Sequence, residues 1–122
     1  MNLKIIDKSF AICKIQDLSK VNFNAEYYFL SKTDTELSLV CTQQDVPQNA
    51  THIDTGWKAF RIEGTLDFSL IGILSKISSL LAENQIGIFA ISTYNTDYIL
   101  TKLENFEKAI EVLVSSGYRI TK

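Results

Sequence analysis

The chain has 122 residues, 46% hydrophobic and 21% charged, enough for one compact unit or two very small ones with a real core. Its net charge is −2 and its arginines are Arg61 and Arg119, which excludes the basic face a nucleic-acid binder needs to displace counterions from phosphates. No stretch approaches the roughly 20 apolar residues of a membrane span, and the opening MNLKIIDKSF lacks the apolar run of a signal peptide. The expectation is a cytoplasmic protein with neither nucleic acid nor membrane as partner.

In chain order, residues 10–15 (FAICKI) read as a strand and residues 18–21 as a short helical turn. Residues 27–32 and 37–42 read as strands around the turn Thr33-Asp34-Thr35. Cys13 and Cys41 each sit in an apolar run. They read as buried free thiols, because free cysteine behaves as a small hydrophobe and a reducing compartment disfavours disulfides. Residues 42–56 (TQQDVPQNATHIDTG) are polar, hold the single proline and the single histidine, and read as a connecting loop.

The second half is more regular. Residues 57–63 (WKAFRIE) alternate imperfectly, as a strand that Gly64-Thr65 breaks. From 69 to 84 the period changes: Leu70, Ile71, Ile73, Leu74, Ile77, Leu80 and Leu81 recur at spacings of three and four and predict an amphipathic helix. Ser69 or Asp67 could cap its start, and Asn84 is a plausible stop. Residues 87–93 (GIFAIST) predict a buried strand, Tyr94-Asn95-Thr96-Asp97 a turn, and 98–103 (YILTKL) the return strand of a hairpin. Asn105 is read as the cap of a second helix with Phe106, Ala109, Ile110 and Leu113 on one face. Gly117 suits a left-handed C-terminal cap, and residues 118–121 close as a strand.

The order from 57 onward is β-α-β-β-α-β, which predicts an α+β ferredoxin-like sheet, antiparallel, with both helices on one face. The first half gives β-(α)-β-β, an incomplete copy with a similar order of elements but no residue-by-residue repeat. The expected division is an incomplete N-terminal half at 1–55, with the polar loop at 42–56, and a complete domain at 56–122. The two should pack as one body, because roughly 55 residues with a partial topology would be marginal alone.

Several chemistries lack their residues. There is no G-x-x-x-x-G-K-[ST] loop and no G-x-G-x-x-G turn to cradle phosphates. His52 lies in the polar loop, and one histidine with two distant cysteines is no usual zinc set. The sheet strands carry no aromatic RNA-binding pattern, and the loop 64–69 has no arginine to hold an acyl phosphate. The expectation is a chain that is not an enzyme, with no catalytic residues, no metal and no cofactor.

Three segments carry a resemblance: Ile91-Ser92-Thr93-Tyr94-Asn95-Thr96-Asp97-Tyr98-Ile99-Leu100, then Gly64-Thr65-Leu66-Asp67-Phe68-Ser69-Leu70-Ile71-Gly72-Ile73-Leu74, and Thr35-Glu36-Leu37-Ser38-Leu39-Val40-Cys41. Together they resemble ACT domains, above all the small tandem type related to the CASTOR amino-acid sensors and the regulatory domains of aspartokinases. The likeness is strong over 56–118 and moderate over 27–42, and it implies that the N-terminal half is an incomplete ACT-like unit. It also implies a non-catalytic regulatory or sensing domain that binds an amino acid or similar small molecule at an interface between ACT units, in a homodimer or higher oligomer. Carried over by position, the ligand-binding residues are Asp67, Gly72, Ile73, Thr93, Tyr94, Asn95 and Asp97.

The chemistry fits that set. A glycine at 72 lets a ligand approach the backbone, and a helix start offers free N–H groups to a carboxylate. Asp97 could pair with an amino or guanidinium group, and Tyr94 could cover an aliphatic chain. Each has a plainer role: Asp97 in satisfying its own turn, Asp67 as a helix cap, Gly72 in helix–sheet packing, Thr93 as a good strand former, Tyr94 as an interface aromatic. The alternative function is an association module in which paired units cover sheet edges and no ligand binds.

Overall fold

The first strand begins almost at once: β1 (Asn2–Ile15) buries Leu3 on one face and Ile6 on the other, as a strand inside a sheet must. The computed structural model describes residues 1–63 and 72–122. After β1 come β2 (Tyr28–Lys32), β3 (Leu37–Thr42), a 3₁₀ turn at Gln43–Asp45, β4 (Ala50–Ile62), α1 (Ile73–Glu83), β5 (Phe89–Ser92), β6 (Asp97–Lys102), α2 (Leu103–Ser115) and β7 (Arg119–Thr121). The chain forms two compact units, Met1–Asp7 with Lys58–Lys122, and Lys8–Trp57.

The first unit is the α+β one. Its strands run in the order β7-β1-β4-β6-β5. Without β1 this is the ferredoxin-like order for β4-α1-β5-β6-α2-β7. The N-terminal strand is therefore an addition, wedged between β7 and β4, and it pairs parallel with β7 through Asn2↔Arg119, Leu3↔Ile120 and Lys4↔Thr121. Opposite, the Asn2 carbonyl accepts the Glu63 N–H at 2.8 Å. Ile77 and Leu81 of α1 and Phe106, Ala109 and Leu113 of α2 recur at helical spacing, and all bury against Leu3, Phe60, Ile62 and Ile99 of the sheet. Both helices thus lie on one face, as the α+β ferredoxin-like reading requires.

Both helices end in Schellman geometry. Gly117 takes φ 98° while the N–H of Tyr118 reaches the Leu113 carbonyl at 3.1 Å. At α1 the left-handed position falls to Gln85 (φ 61°), and the N–H of Ile86 reaches the Leu81 carbonyl at 2.9 Å. Burial of the Ile86 side chain offsets the cost of a non-glycine residue there.

The second unit has strands in the order β2-β3-β1-β4 and no α-helix among its described residues, around Ala11, Cys13, Ile15, Leu39 and Cys41. Antiparallel pairing sets Ala11 opposite Cys41 and Cys13 opposite Leu39, so the two cysteines are diagonal neighbours on one face. Burial pushes the Cys41 thiol up to about 12, with the Cys13 sulfur and Asp45 adding to the shift. Burial also raises Cys13, against a hydrogen bond from its neighbour. Both thiols stay protonated at neutral pH, so a thiol-specific disulfide reagent should label neither in the native state and both in urea; native labelling within minutes would contradict the packing. The sign with pH follows. The unfolded thiol ionises near its ordinary value of 9.0, below the folded one, so unfolding becomes easier as pH rises from there toward 12.

Five sequence expectations change. The strand read as buried at 87–93 is β5, Phe89–Ser92, whose residues alternate between half-buried and exposed. The strand read at 10–15 starts at Asn2 instead, because Lys4, Asp7 and Lys8 hide the alternation. The loop read at 42–56 is a 3₁₀ turn followed by the first half of β4, whose side chains from Thr51 to Thr55 are exposed; backbone pairing needs no apolar side chain. Asn105 does not cap α2: the helix follows β6 directly, with Lys102 at the cap position, no side-chain cap bond, and Glu104 supplying negative charge in the first turn. Residues 18–21 form a turn closed by the Val21 N–H on the Leu18 carbonyl at 3.2 Å. The start read at 69 and the caps Ser69 and Asp67 lie outside the described residues; α1 begins at Ile73.

Candidate functional site at the hairpin turn and the start of α1

The turn joining β5 to β6 is held by two threonines. The Thr93 N–H donates to the Thr96 carbonyl at 2.8 Å, and the Thr93 hydroxyl donates to the same oxygen at 2.9 Å. The Thr96 N–H returns a bond to Thr93 Oγ1 at 3.3 Å. The Thr96 hydroxyl, buried, donates to the Ile62 carbonyl at 2.7 Å. That last bond pins the turn to the end of β4, where the chain leaves for α1. Ser92 pairs with Asp97 across the hairpin, Asn95 is exposed, and Tyr94 stands 81% exposed at the tip. The turn between β2 and β3 repeats the device: the Thr33 N–H donates to the Glu36 carbonyl at 2.9 Å and the Glu36 N–H to Thr33 Oγ1 at 3.1 Å.

Beside the turn, β4 and β6 carry a charged cluster. Arg61 Nη1 donates to the Tyr98 hydroxyl at 3.2 Å, and Arg61 Nε lies 3.7 Å from the Glu63 carboxylate. The guanidinium sits 5.9 Å from the centre of the Tyr98 ring.

Gly72 opens α1 in the left-handed region, φ 83°, with no side-chain cap bond. Among the described residues nothing lies within 4 Å of where a Cβ would stand, and the positive φ is what calls for glycine here. Gly72 and Ile73 line a cavity of about 300 Å³ with Lys76, Met1 and the residues after α2, Ser116 to Tyr118. The first helical turn and the Lys76 ammonium make this wall electropositive. Burial holds the Tyr118 hydroxyl above its ordinary range, so it remains a donor at neutral pH.

Of the residues singled out from sequence, Gly72 and Ile73 share that cavity wall, while Thr93, Tyr94, Asn95 and Asp97 sit in and next to the hairpin turn and line no part of it. Asp67 lies outside the described residues. Sequence reading missed Lys76, Tyr118 and the pinning role of Thr96. Lys76 was legible, being one turn after Gly72; the approach of the α2 end was not, since only tertiary packing makes it. Among the described residues no three His, Cys, Asp or Glu side chains gather into a metal set, and no helix is long and apolar enough to cross a membrane.

The comparisons agree with this architecture. Residues 52–115 match the ACT domain family. A crystal structure of a protein from Agrobacterium tumefaciens is 31% identical, with TM-score 0.83, and the match covers 98% of this chain and 91% of that one. A Vibrio cholerae protein of unknown function, described as a possible transport protein, is 16% identical over 93% of this chain and 88% of that one at TM-score 0.73. The allosteric aspartate kinase of Clostridium acetobutylicum is 16% identical at TM-score 0.64, with 88% of this chain covering 32% of that one. The last two likenesses show the fold alone. No curated protein matches the chain. By the span matched and the identity to the Agrobacterium protein, the chain belongs to the ACT domain family, a family of regulatory domains.

Proposed function

We propose that this chain is a non-catalytic sensing module that binds an amino acid or similar small molecule at an interface between ACT units of a homo-oligomer, working in the cytoplasm. The observation that carries the reading is the Thr96–Ile62 bond, which fastens the exposed hairpin turn to the strand end from which α1 is reached. The electropositive start of α1 supports it as a carboxylate site: the positive end of the helix dipole, Gly72 with no side chain to obstruct it, and Lys76 one turn on. The cavity there stands at the low end of the range for small-molecule sites. Asp97 and Asn95 are the proposed partners of the amino end, Thr93 and Tyr94 of the side chain. Asp67, in the segment leading to α1, belongs to the same proposal. Aspartate kinase from Clostridium, described as allosteric, bears a domain of this fold, which fits a regulatory role.

The test is a thermal-shift screen of the protein against the twenty amino acids, repeated with Asp97→Ala. One ligand should raise the melting temperature, since binding stabilises by about 2.7 kcal/mol at a hundredfold excess over Kd, and Asp97→Ala should remove the shift without lowering the ligand-free melting point. A folded protein that gives a flat screen at millimolar ligand sinks the sensor. A second reading, association without ligand, is favoured by the exposure of Tyr94 at the hairpin tip. A flat screen together with a dimer that Tyr94→Ser dissociates would establish it.

A further inference from the structure

Helix α2 carries more apolar surface than its own core uses. Phe106, Ala109 and Leu113 face the sheet and are buried, whereas Leu103 and Val114 stand 56% and 51% exposed and Ile110 is half-buried. Spacings of seven and four place Leu103, Ile110 and Val114 in one stripe along the helix, beside the buried face. The opposite flank of α2 is turned to α1: the Lys108 ammonium donates to the Asn84 carbonyl, at the end of that helix, at 3.3 Å. The apolar stripe therefore lies on the flank away from α1. There Leu103 and Ile110 line a groove of about 820 Å³, all of whose lining residues belong to the α+β unit.

An acidic stripe runs next to the apolar one. Glu104, Glu107 and Glu111 recur at spacings of three and four, share one face of α2, are exposed, and line the same groove. With Asp7 they outnumber the lysines of the lining, Lys58 and Lys122. Lys58 is engaged elsewhere, its ammonium 3.6 Å from the Asp7 carboxylate and 5.7 Å from the centre of the Phe106 ring. An exposed apolar stripe rimmed by charge of one sign suits a helix that brings apolar side chains and the opposite charge. A second copy of the chain is a poor occupant, because a two-fold pairing of α2 helices across this stripe would set the same glutamates against each other.

We propose that this flank of α2 is the docking face for a basic amphipathic helix of a partner protein, which lays its apolar stripe on Leu103, Ile110 and Val114 and sets lysine or arginine side chains against Glu104, Glu107 and Glu111. The dimensions fit. Leu103 and Val114 are about 16 Å apart along the helix axis, which roughly three turns of a partner helix span. One helix presents both kinds of side chain at once, because residues three and four apart form a stripe and the next positions round the helix form its neighbour, as on α2 itself. The groove shares no lining residue with the cavity at the start of α1, so the proposal does not rest on the ligand reading.

The probe is a capped peptide of about 18 residues with leucine at helical spacing and lysine and alanine between, fluorescently labelled and titrated into the full chain. One control replaces its lysines with glutamate; another keeps the composition and scrambles the periodicity. Saturable binding of the periodic basic peptide alone is expected, with a gain of helix in circular dichroism. Binding should weaken about tenfold in Glu107→Lys/Glu111→Lys and about tenfold in Leu103→Ser/Val114→Ser, and stay unchanged in Asp97→Ala. All four substituted residues are exposed, so both double variants should keep the parent melting temperature. Three results would each overturn the proposal: no saturable binding, binding that survives either double substitution in a folded protein, or equal binding of the scrambled peptide. A solution dimer that Leu103→Ser/Val114→Ser dissociates would overturn it too, in favour of a second copy of the chain.

Discussion

Replacing Phe60 with alanine should cost about 3–5 kcal/mol of unfolding free energy, the largest loss expected from any single change considered. Phe60 is fully buried at the centre of the sheet face that both helices cover, and its ring meets that of Phe106 at 6.4 Å between centroids, tilted by 52°. Truncation removes the transfer energy of the ring and leaves a hole whose walls belong to three elements, so little of it can close. Domains of this size hold about 5–15 kcal/mol in total, so the variant should sit near its unfolding threshold at 37 °C. Urea titration checks it: the midpoint should fall steeply with the slope nearly unchanged. Phe60→Leu, which keeps most of the volume, should lose far less. A loss below about 1 kcal/mol for the alanine variant would mean that the core is not packed as described.

Thr96→Val tests the site from its foundation. Valine keeps the shape and removes the hydroxyl, leaving the buried Ile62 carbonyl without the 2.7 Å donor it has now. An orphaned buried acceptor costs about 1–3 kcal/mol, and urea titration would read it. The functional consequence separates this change from an ordinary core lesion. With the turn unpinned, Tyr94, Asn95 and Asp97 lose their fixed relation to the end of β4, so the amino-acid thermal shift should disappear in a protein that is still folded at 25 °C. The labelling behaviour of Cys13 and Cys41, in the other unit, should not change. A variant that loses stability but keeps the full ligand shift would show that the turn's anchorage has no part in binding, and would move the proposed site to α1 alone.

Much of this was legible in the residues. Ile77 and Leu81, and Phe106, Ala109 and Leu113, announce amphipathic helices because a helix repeats every 3.6 residues and each buried stripe must recur at that period. Residues 37–42 read correctly as a strand, and Gly117 as a left-handed cap, since each depends on local chemistry. The family, too, was visible in the run from Ile91 to Leu100. What the residues did not disclose is where long-range pairing decides. The exposed first half of β4 looks like a loop because its strand character lives in backbone bonds, which carry no side-chain signature. The place of β1 between β7 and β4 was equally hidden, because a partner 118 residues away, as in the bond from Thr121 to the Leu3 carbonyl, leaves no trace in either segment alone. The candidate site divides the same way. Gly72, Thr93 and Asp97 were named from the resemblance that their segments carry, whereas the bond from Thr96 to Ile62 and the cavity that Lys76 and Tyr118 share exist only once the sheet and the two helices have closed on their common core.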